Sequence, residues 1–134
     1  MKQFVFLMLM FTLGCQNGRN TATGVATAGE FTMRVGQSVA IDGDALSITF
    51  IEVTEDSRCP ANVMCVWAGN AAIRLNVMAR NSDASSTELN TNLDPGSVDY
   101  GAYTIELVAL VPSPYTERII SPDEYVATLL VSVR

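Results

Sequence analysis

The chain of 134 residues contains no histidine, and this absence removes the general base on which the commonest hydrolases depend. A Ser-His-Asp or Cys-His enzyme is excluded, because both mechanisms need an imidazole beside the nucleophile. Zinc sites also lose their usual nitrogen ligand, so a cysteine pair would need carboxylates to complete a tetrahedral set. We therefore expect a protein that is not an enzyme, with no catalytic residues, no metal and no cofactor.

Positive charge is also scarce, since Lys2 is the only lysine. Once the first fourteen residues are removed, seven arginines face fourteen acids, which gives a net charge of −7. Such a surface repels phosphate backbones and anionic lipid headgroups. We expect no nucleic-acid partner, and any attachment to a membrane must come from a lipid and not from a basic patch.

The N-terminal apolar run, Phe4 to Leu13, is too short for a membrane-spanning helix and follows Lys2 as in a secretory signal peptide. It ends in Thr-Leu-Gly-Cys, which resembles the lipobox of bacterial lipoproteins, with threonine at the position where leucine is usual. The resemblance implies that residues 1–14 are a lipoprotein signal peptide and that Cys15 becomes a diacylated, palmitate-bearing N-terminus. The alternative is an ordinary signal peptide that leaves Cys15 as a free thiol.

The residues after Cys15 are small and polar, without an apolar period, so we predict a flexible tether over 15–29 and one folded domain over 30–134. The residue after the lipidated cysteine is Gln16. In the enterobacterial sorting rule only aspartate at this position strongly favours retention in the inner membrane. We therefore expect a lipid-anchored protein of the bacterial cell envelope, placed in the outer membrane if the host has two membranes.

Beyond residue 30 apolar and polar residues alternate with a period of two, which is typical of half-buried strands. The phase slips at Phe50–Ile51 and predicts a β-bulge or a change of sheet there. Turn sequences recur about every dozen residues, and helical periodicity is lacking. The pattern predicts an all-β fold: a single antiparallel β-sandwich or small barrel of about seven or eight strands. The expected inward positions are Phe31, Met33, Val35, Leu46, Ile48, Phe50, Ile73, Leu75, Val77, Ala79, Tyr103, Ile105, Leu107, Ala109, Tyr125, Ala127, Leu129, Val131 and Val133.

Three acid pairs, at 42 and 44, 55 and 56, and 123 and 124, are interpreted as solvated turns. Asp42-Gly43-Asp44 offers two oxygen ligands around a glycine, but two carboxylates do not make a calcium site. A hairpin turn explains the same residues.

The segment 56–69, DSRCPANVMCVWAG, holds the two remaining cysteines, Cys59 and Cys65. An even pair in an exported protein favours a disulfide, and Pro60 and Asn62 favour a turn between the two sulfurs. By the chain-entropy model a closed loop of seven residues contributes about 2.4 kcal/mol. The C-x5-C spacing does not fit a redox-active C-x-x-C pair.

Two interpretations of this loop stay open. In the first, the disulfide only fastens a connection between strands, Trp67 packs over it, and Gly69 allows a tight backbone. In the second, the loop is a site for a partner protein, and its apolar residues face solvent. Those residues are Val63, Met64, Val66 and Trp67. Asp56 and Arg58 are expected to pair and to fix the base of the loop.

The run from Asp56 to Gly69 resembles the signature segment, DSRCP-x-x-V-x-C-x-WAG, of a family of uncharacterised bacterial lipoproteins and secreted proteins. The segments 103–114 and 124–129 resemble the same group. The resemblance implies no activity and no catalytic residues. We expect a non-enzymatic, lipid-anchored envelope protein with a binding or structural role, whose partner is an envelope protein, a peptide or a glycan. The alternative is an inhibitor of an exported protease that acts through loop 59–67.

Overall fold

The structure, a computed structural model, describes residues 23–134, and the side chains of residues 27–134. Cys15, the signal peptide and the first part of the predicted tether lie outside the described residues, so their assignments stay predictions. The described chain forms nine strands and one turn of 3-10 helix. Their bounds are β1 Thr23–Ala26, β2 Gly29–Arg34, β3 Ser38–Ile41, β4 Leu46–Asp56, β5 Ala71–Ala79, β6 Ser85–Asn90, β7 Ser97–Tyr100, β8 Tyr103–Val111, the 3-10 turn Pro122–Glu124 and β9 Val126–Val133.

The strands form two sheets that pack on each other. The first has five strands in the order β1-β3-β4-β5-β6, and the second has four in the order β2-β9-β8-β7. Every pairing is antiparallel except that of β1 with β3, which is parallel. The predicted antiparallel β-sandwich is confirmed, together with its local disulfide.

One core lies between the sheets and is built from the inward rows that period-two alternation predicts. Phe50 and Met33 are its largest fully buried side chains. All buried apolar side chains of residues 27–134 fall between Met33 and Val131. The stretch 23–134 thus contains one complete core and both sheets, so we treat the chain from residue 16 onward as a unit that folds without the signal peptide.

The phase slip at Phe50 is a true irregularity of the sheet. The register of β4 against β5 shifts between Phe50 and Glu52, which confirms the predicted bulge. The extra residue, Ile51, is turned outward and is exposed. The bulge changes the direction of the end of β4. The first part of this strand therefore lines the core, and its end leads into the connection at residues 57–70.

A second register shift in β4, after Val53, and one in β8 were not predicted. The register of β8 against β9 shifts between Leu107 and Ala109, so Leu110 is buried where Ala109 was expected to face the core. Val133 was expected to face inward as well, and it is exposed because it lies at the end of the last strand.

Strand β1 lies within the segment that the sequence predicts as a tether. Its backbone pairs with β3 from Thr23 opposite Ser38 to Ala26 opposite Ile41. Among the described residues, paired structure is therefore present from Thr23, seven residues before the predicted start of the domain. A four-residue edge strand of small and polar residues has too little apolar alternation to be recognised.

Three connections meet at one end of the sandwich: residues 57–70 between β4 and β5, 91–96 between β6 and β7, and 112–125 between β8 and β9. We call this the loop end. Hydrogen bonds join these connections to one another, as described below. The opposite end carries the β3–β4 hairpin, in which Asp42 and Gly43 have positive φ, as expected for the turn predicted there.

Candidate functional site

Loop 57–70 leaves the sandwich as a narrow stem. The Ser57 N–H donates to the Asn70 carbonyl at 2.7 Å, and the Cys59 N–H donates to the Ala68 carbonyl at 2.8 Å. Above this stem Cys59 and Cys65 form the predicted disulfide, with their Cα atoms 5.9 Å apart. The stem and the bridge together hold both ends of the tip.

Gly69 makes the stem possible, as the sequence predicts. Its φ is +70°, in the left-handed region, and a Cβ there would lie 1.9 Å from the Ser57 carbonyl oxygen. Both the dihedral and the space therefore require glycine at this position. The close approach of the two sides of the stem allows the Ser57 N–H to donate to the Asn70 carbonyl.

Arg58 locks the base of the loop onto the second sheet. Its Nε and Nη2 donate to the two carboxylate oxygens of Asp56 at 2.7 and 2.8 Å, as predicted from the motif. The same guanidinium donates to the carbonyl oxygens of Leu110 and Pro112, at the end of β8. Tyr125 adds a hydroxyl that donates to Asp56 at 2.9 Å. One cation thus joins β4 to β8.

This cluster is largely withdrawn from water, with the side chains of Asp56 and Arg58 each 12% exposed. Burial acts to raise the pKa of Asp56, but the hydrogen bonds from Arg58 and Tyr125 outweigh it and hold that pKa below its usual value. Burial and the bond to Asp56 raise the pKa of Tyr125 to about 12. The arrangement stabilises the carboxylate and the neutral phenol together.

Replacing Tyr125 by phenylalanine tests this arrangement through its pH dependence. A phenol with a raised folded pKa stabilises the fold fully below its unfolded pKa, near 10, and loses that contribution as the pH rises through about 12. We expect Tyr125→Phe to lower the free energy of unfolding by about 1 kcal/mol at pH 8. Urea titrations should show the difference from wild type shrinking between pH 10 and 12. A difference that stays constant over that range would contradict the assigned bond.

Asn70 fastens the other side of the stem to the β6–β7 connection. Its side-chain amide donates to the Asn90 side-chain oxygen at 2.9 Å, and its own oxygen accepts from the N–H groups of Asn92 and Leu93. Asn70 is 1% exposed, so these bonds satisfy a buried polar group. No local sequence pattern predicts this network, because its members are about twenty residues apart in the chain.

The tip of the loop is apolar and exposed. Met64 and Val66 are fully exposed, Trp67 is 63% exposed and Val63 is 43% exposed. We call these four residues the apolar tip. In the first interpretation of the loop Trp67 packs over the disulfide, and its exposure does not fit that interpretation. The disulfide and the stem fasten the loop without burying its apolar side chains.

A second loop, residues 112–121, lies beside the tip. The Ala61 N–H donates to the Pro114 carbonyl at 2.8 Å, and Asn62 and Thr116 exchange two hydrogen bonds. This loop exposes Ile119 to 92%. The contact spans more than fifty residues of sequence, and no local signal predicts it.

Several of the acids considered from the sequence have structural partners. Asp42 accepts a bond from the Tyr103 hydroxyl, and Glu124 pairs with Arg118 and accepts from the Ser121 N–H. Within residues 23–134 no group of three or more acidic or cysteine side chains is arranged to hold a metal ion. That part of the chain also has no helix long and apolar enough to cross a membrane.

Comparisons with protein-family models, with curated proteins and with solved structures found no match to this chain. The resemblance of residues 56–69 to bacterial lipoproteins and secreted proteins therefore stays a prediction.

Proposed function

We propose that the protein is a non-enzymatic, lipid-anchored protein of the bacterial cell envelope that acts by binding, and that the apolar tip is its contact surface. The observation that carries this proposal is the full exposure of Met64 and Val66 on a loop whose base is fixed. Cys15 supplies the lipid anchor in this proposal, and Gln16 directs the protein to the outer membrane where the host has two membranes.

Binding to a partner removes the side chains of the apolar tip from water. Covering a Met or Val side chain contributes about 1.5–3 kcal/mol relative to leaving it in water. Because the stem, the disulfide and the contact with residues 112–121 already order the loop, little conformational entropy is lost when a partner covers it. An ordered apolar projection of this kind is typical of an interaction site.

Capture from envelope extract tests the proposal. The chain from residue 16 to 134 is used as bait, beside a Val63→Asp, Met64→Asp variant. The control is Met78→Asp, which changes an exposed methionine near the end of strand β5 that lies opposite the loop end. We expect wild type and control to retain the same envelope component and the tip variant to lose it, with folding checked by circular dichroism. Equal retention by all three would place any binding surface elsewhere.

A second function, inhibition of an exported protease, is favoured by one feature. The tip residues Val63 and Met64 lie inside the disulfide-closed ring, as in a pre-ordered inhibitory loop. The same capture separates the two functions. A retained protease whose activity falls on binding, and recovers with the tip variant, would establish the inhibitor.

A further inference from the structure

Building on the anchored binding protein proposed above, we propose that the apolar tip seats on the lipid bilayer that carries the anchor. In this arrangement Met64, Val66 and Trp67 enter the membrane interface, and Ile119 of the neighbouring loop enters beside them. The domain then rests on its membrane with the loop end down instead of moving freely on its tether.

The composition of the loop end suits a lipid surface. Tryptophan concentrates at the boundary between headgroups and acyl chains, and Met, Val and Ile partition into the layer below. The arginines of the two loops are already neutralised, since Arg58 pairs with Asp56 and Arg118 pairs with Glu124. Docking is therefore apolar and does not require anionic lipid.

The chain direction brings the anchor toward the same end. Strand β1 is parallel to β3, and β3 is antiparallel to β4, so the start of β1 points to the end where β4 finishes. Thr23 is level with Thr49. Thr49 pairs with Asn76 and Asp56 pairs with Ala71, so this stretch of β4, with its two bulges, spans only five residues of β5. At the usual strand rise this height is about 17 Å.

The preceding chain is long enough to cover that height. Eight residue steps separate Cys15 from Thr23, and a chain of that length spans at most about 28 Å. An acylated Cys15 can thus lie in the plane of the loop end, but it cannot hold the domain far from the bilayer. Tethering at this range converts docking into an intramolecular step, for which a weak apolar contact suffices.

The chain provides both the attachment point and the probe for a test. With Cys59 and Cys65 bridged, Cys15 is the remaining thiol of the three cysteines, and Trp67 is the one tryptophan. The chain from Cys15 to residue 134 is coupled through that thiol to a maleimide lipid in phosphatidylcholine vesicles. Part of the lipid carries bromine on its acyl chains, which quenches tryptophan fluorescence on contact.

We expect bromolipid to quench Trp67 in the wild type and in Met78→Asp. In Met64→Asp, Val66→Asp the docked population should fall at least tenfold, because each lost side chain contributes more than the free energy of a tenfold change. Replacing half of the neutral lipid by phosphatidylglycerol should not strengthen quenching, given the net charge of −7 of the chain after residue 14.

Two results would overturn the inference. If bromolipid does not quench Trp67 fluorescence in the anchored wild type, the apolar tip stays in water. Quenching that survives both aspartates shows that another part of the surface meets the lipid. If either result occurs while envelope capture still depends on Val63 and Met64, the occupant of the tip is a protein, peptide or glycan, and the proposed binding function stands without the membrane. If envelope capture does not depend on Val63 and Met64, that result would instead contradict the proposed function itself.

Discussion

Replacing Gly69 by alanine is expected to lower the free energy of unfolding by about 3 kcal/mol or more, the largest effect of a single added methyl group that we predict for this protein. Two penalties combine. The left-handed conformation, with φ at +70°, costs an L-residue about 1–2 kcal/mol. The added Cβ would also lie 1.9 Å from the Ser57 carbonyl oxygen, so the stem must open.

Gly101→Ala separates these two penalties. Gly101 has a similar φ of +60°, but a Cβ there meets nothing within 4 Å. We expect only the backbone penalty of about 1–2 kcal/mol at this position. Urea unfolding of both variants measures the difference. Equal losses at the two glycines would mean that the close approach of Ser57 and Gly69 does not constrain the fold.

Replacing Arg58 by methionine is expected to lower the free energy of unfolding by about 3–5 kcal/mol, because it leaves the Asp56 carboxylate buried without its cation. Two carbonyl oxygens at the end of β8 lose their donor as well. Methionine keeps most of the side chain's length, so the loss reports the charge and its hydrogen bonds more than the packing.

The Arg74–Glu52 pair provides a matched control on the outer face of the same sheet. Its side chains are 44% and 50% exposed, against 12% for each member of the Arg58–Asp56 pair. Exposed pairs contribute about 0–1 kcal/mol, so Arg74→Met should change stability little. A double-mutant cycle with Asp56→Asn isolates the coupling with Arg58. Comparable losses at Arg58 and Arg74 would contradict the role of Arg58 as the link between the sheets.

Period-two alternation was enough to predict the sandwich, since each long strand buries one face. It also located the bulge at Phe50, where two apolar residues are adjacent. It assigned no inward residue to β1, β3 or β7, because strands of four residues show barely one cycle of alternation. It misplaced Leu110, because residues 107–111 are all apolar and alternation there does not show which of them face the core.

At the loop end, the local parts of the site could be predicted and the distant parts could not. The disulfide, the need for Gly69 and the pairing of Arg58 with Asp56 all follow from residues within fourteen positions of one another. The bond from Tyr125 to Asp56 and the contact of Asn62 with Thr116 join residues more than fifty positions apart. Exposure of the tip depends on whether any other segment covers it, so the sequence left both interpretations of the loop open.

The most direct test of the apolar tip as the binding surface is to identify what residue 64 contacts in the envelope of living cells. A photo-crosslinking amino acid replaces Met64 in the full-length chain expressed in its host, and Met78, exposed on strand β5, provides the control position. The account predicts a strong, discrete adduct with lipid or with one envelope component at position 64 and none at position 78. The absence of an adduct at position 64, or the same adducts at both positions, would contradict the assignment of the apolar tip as the binding surface.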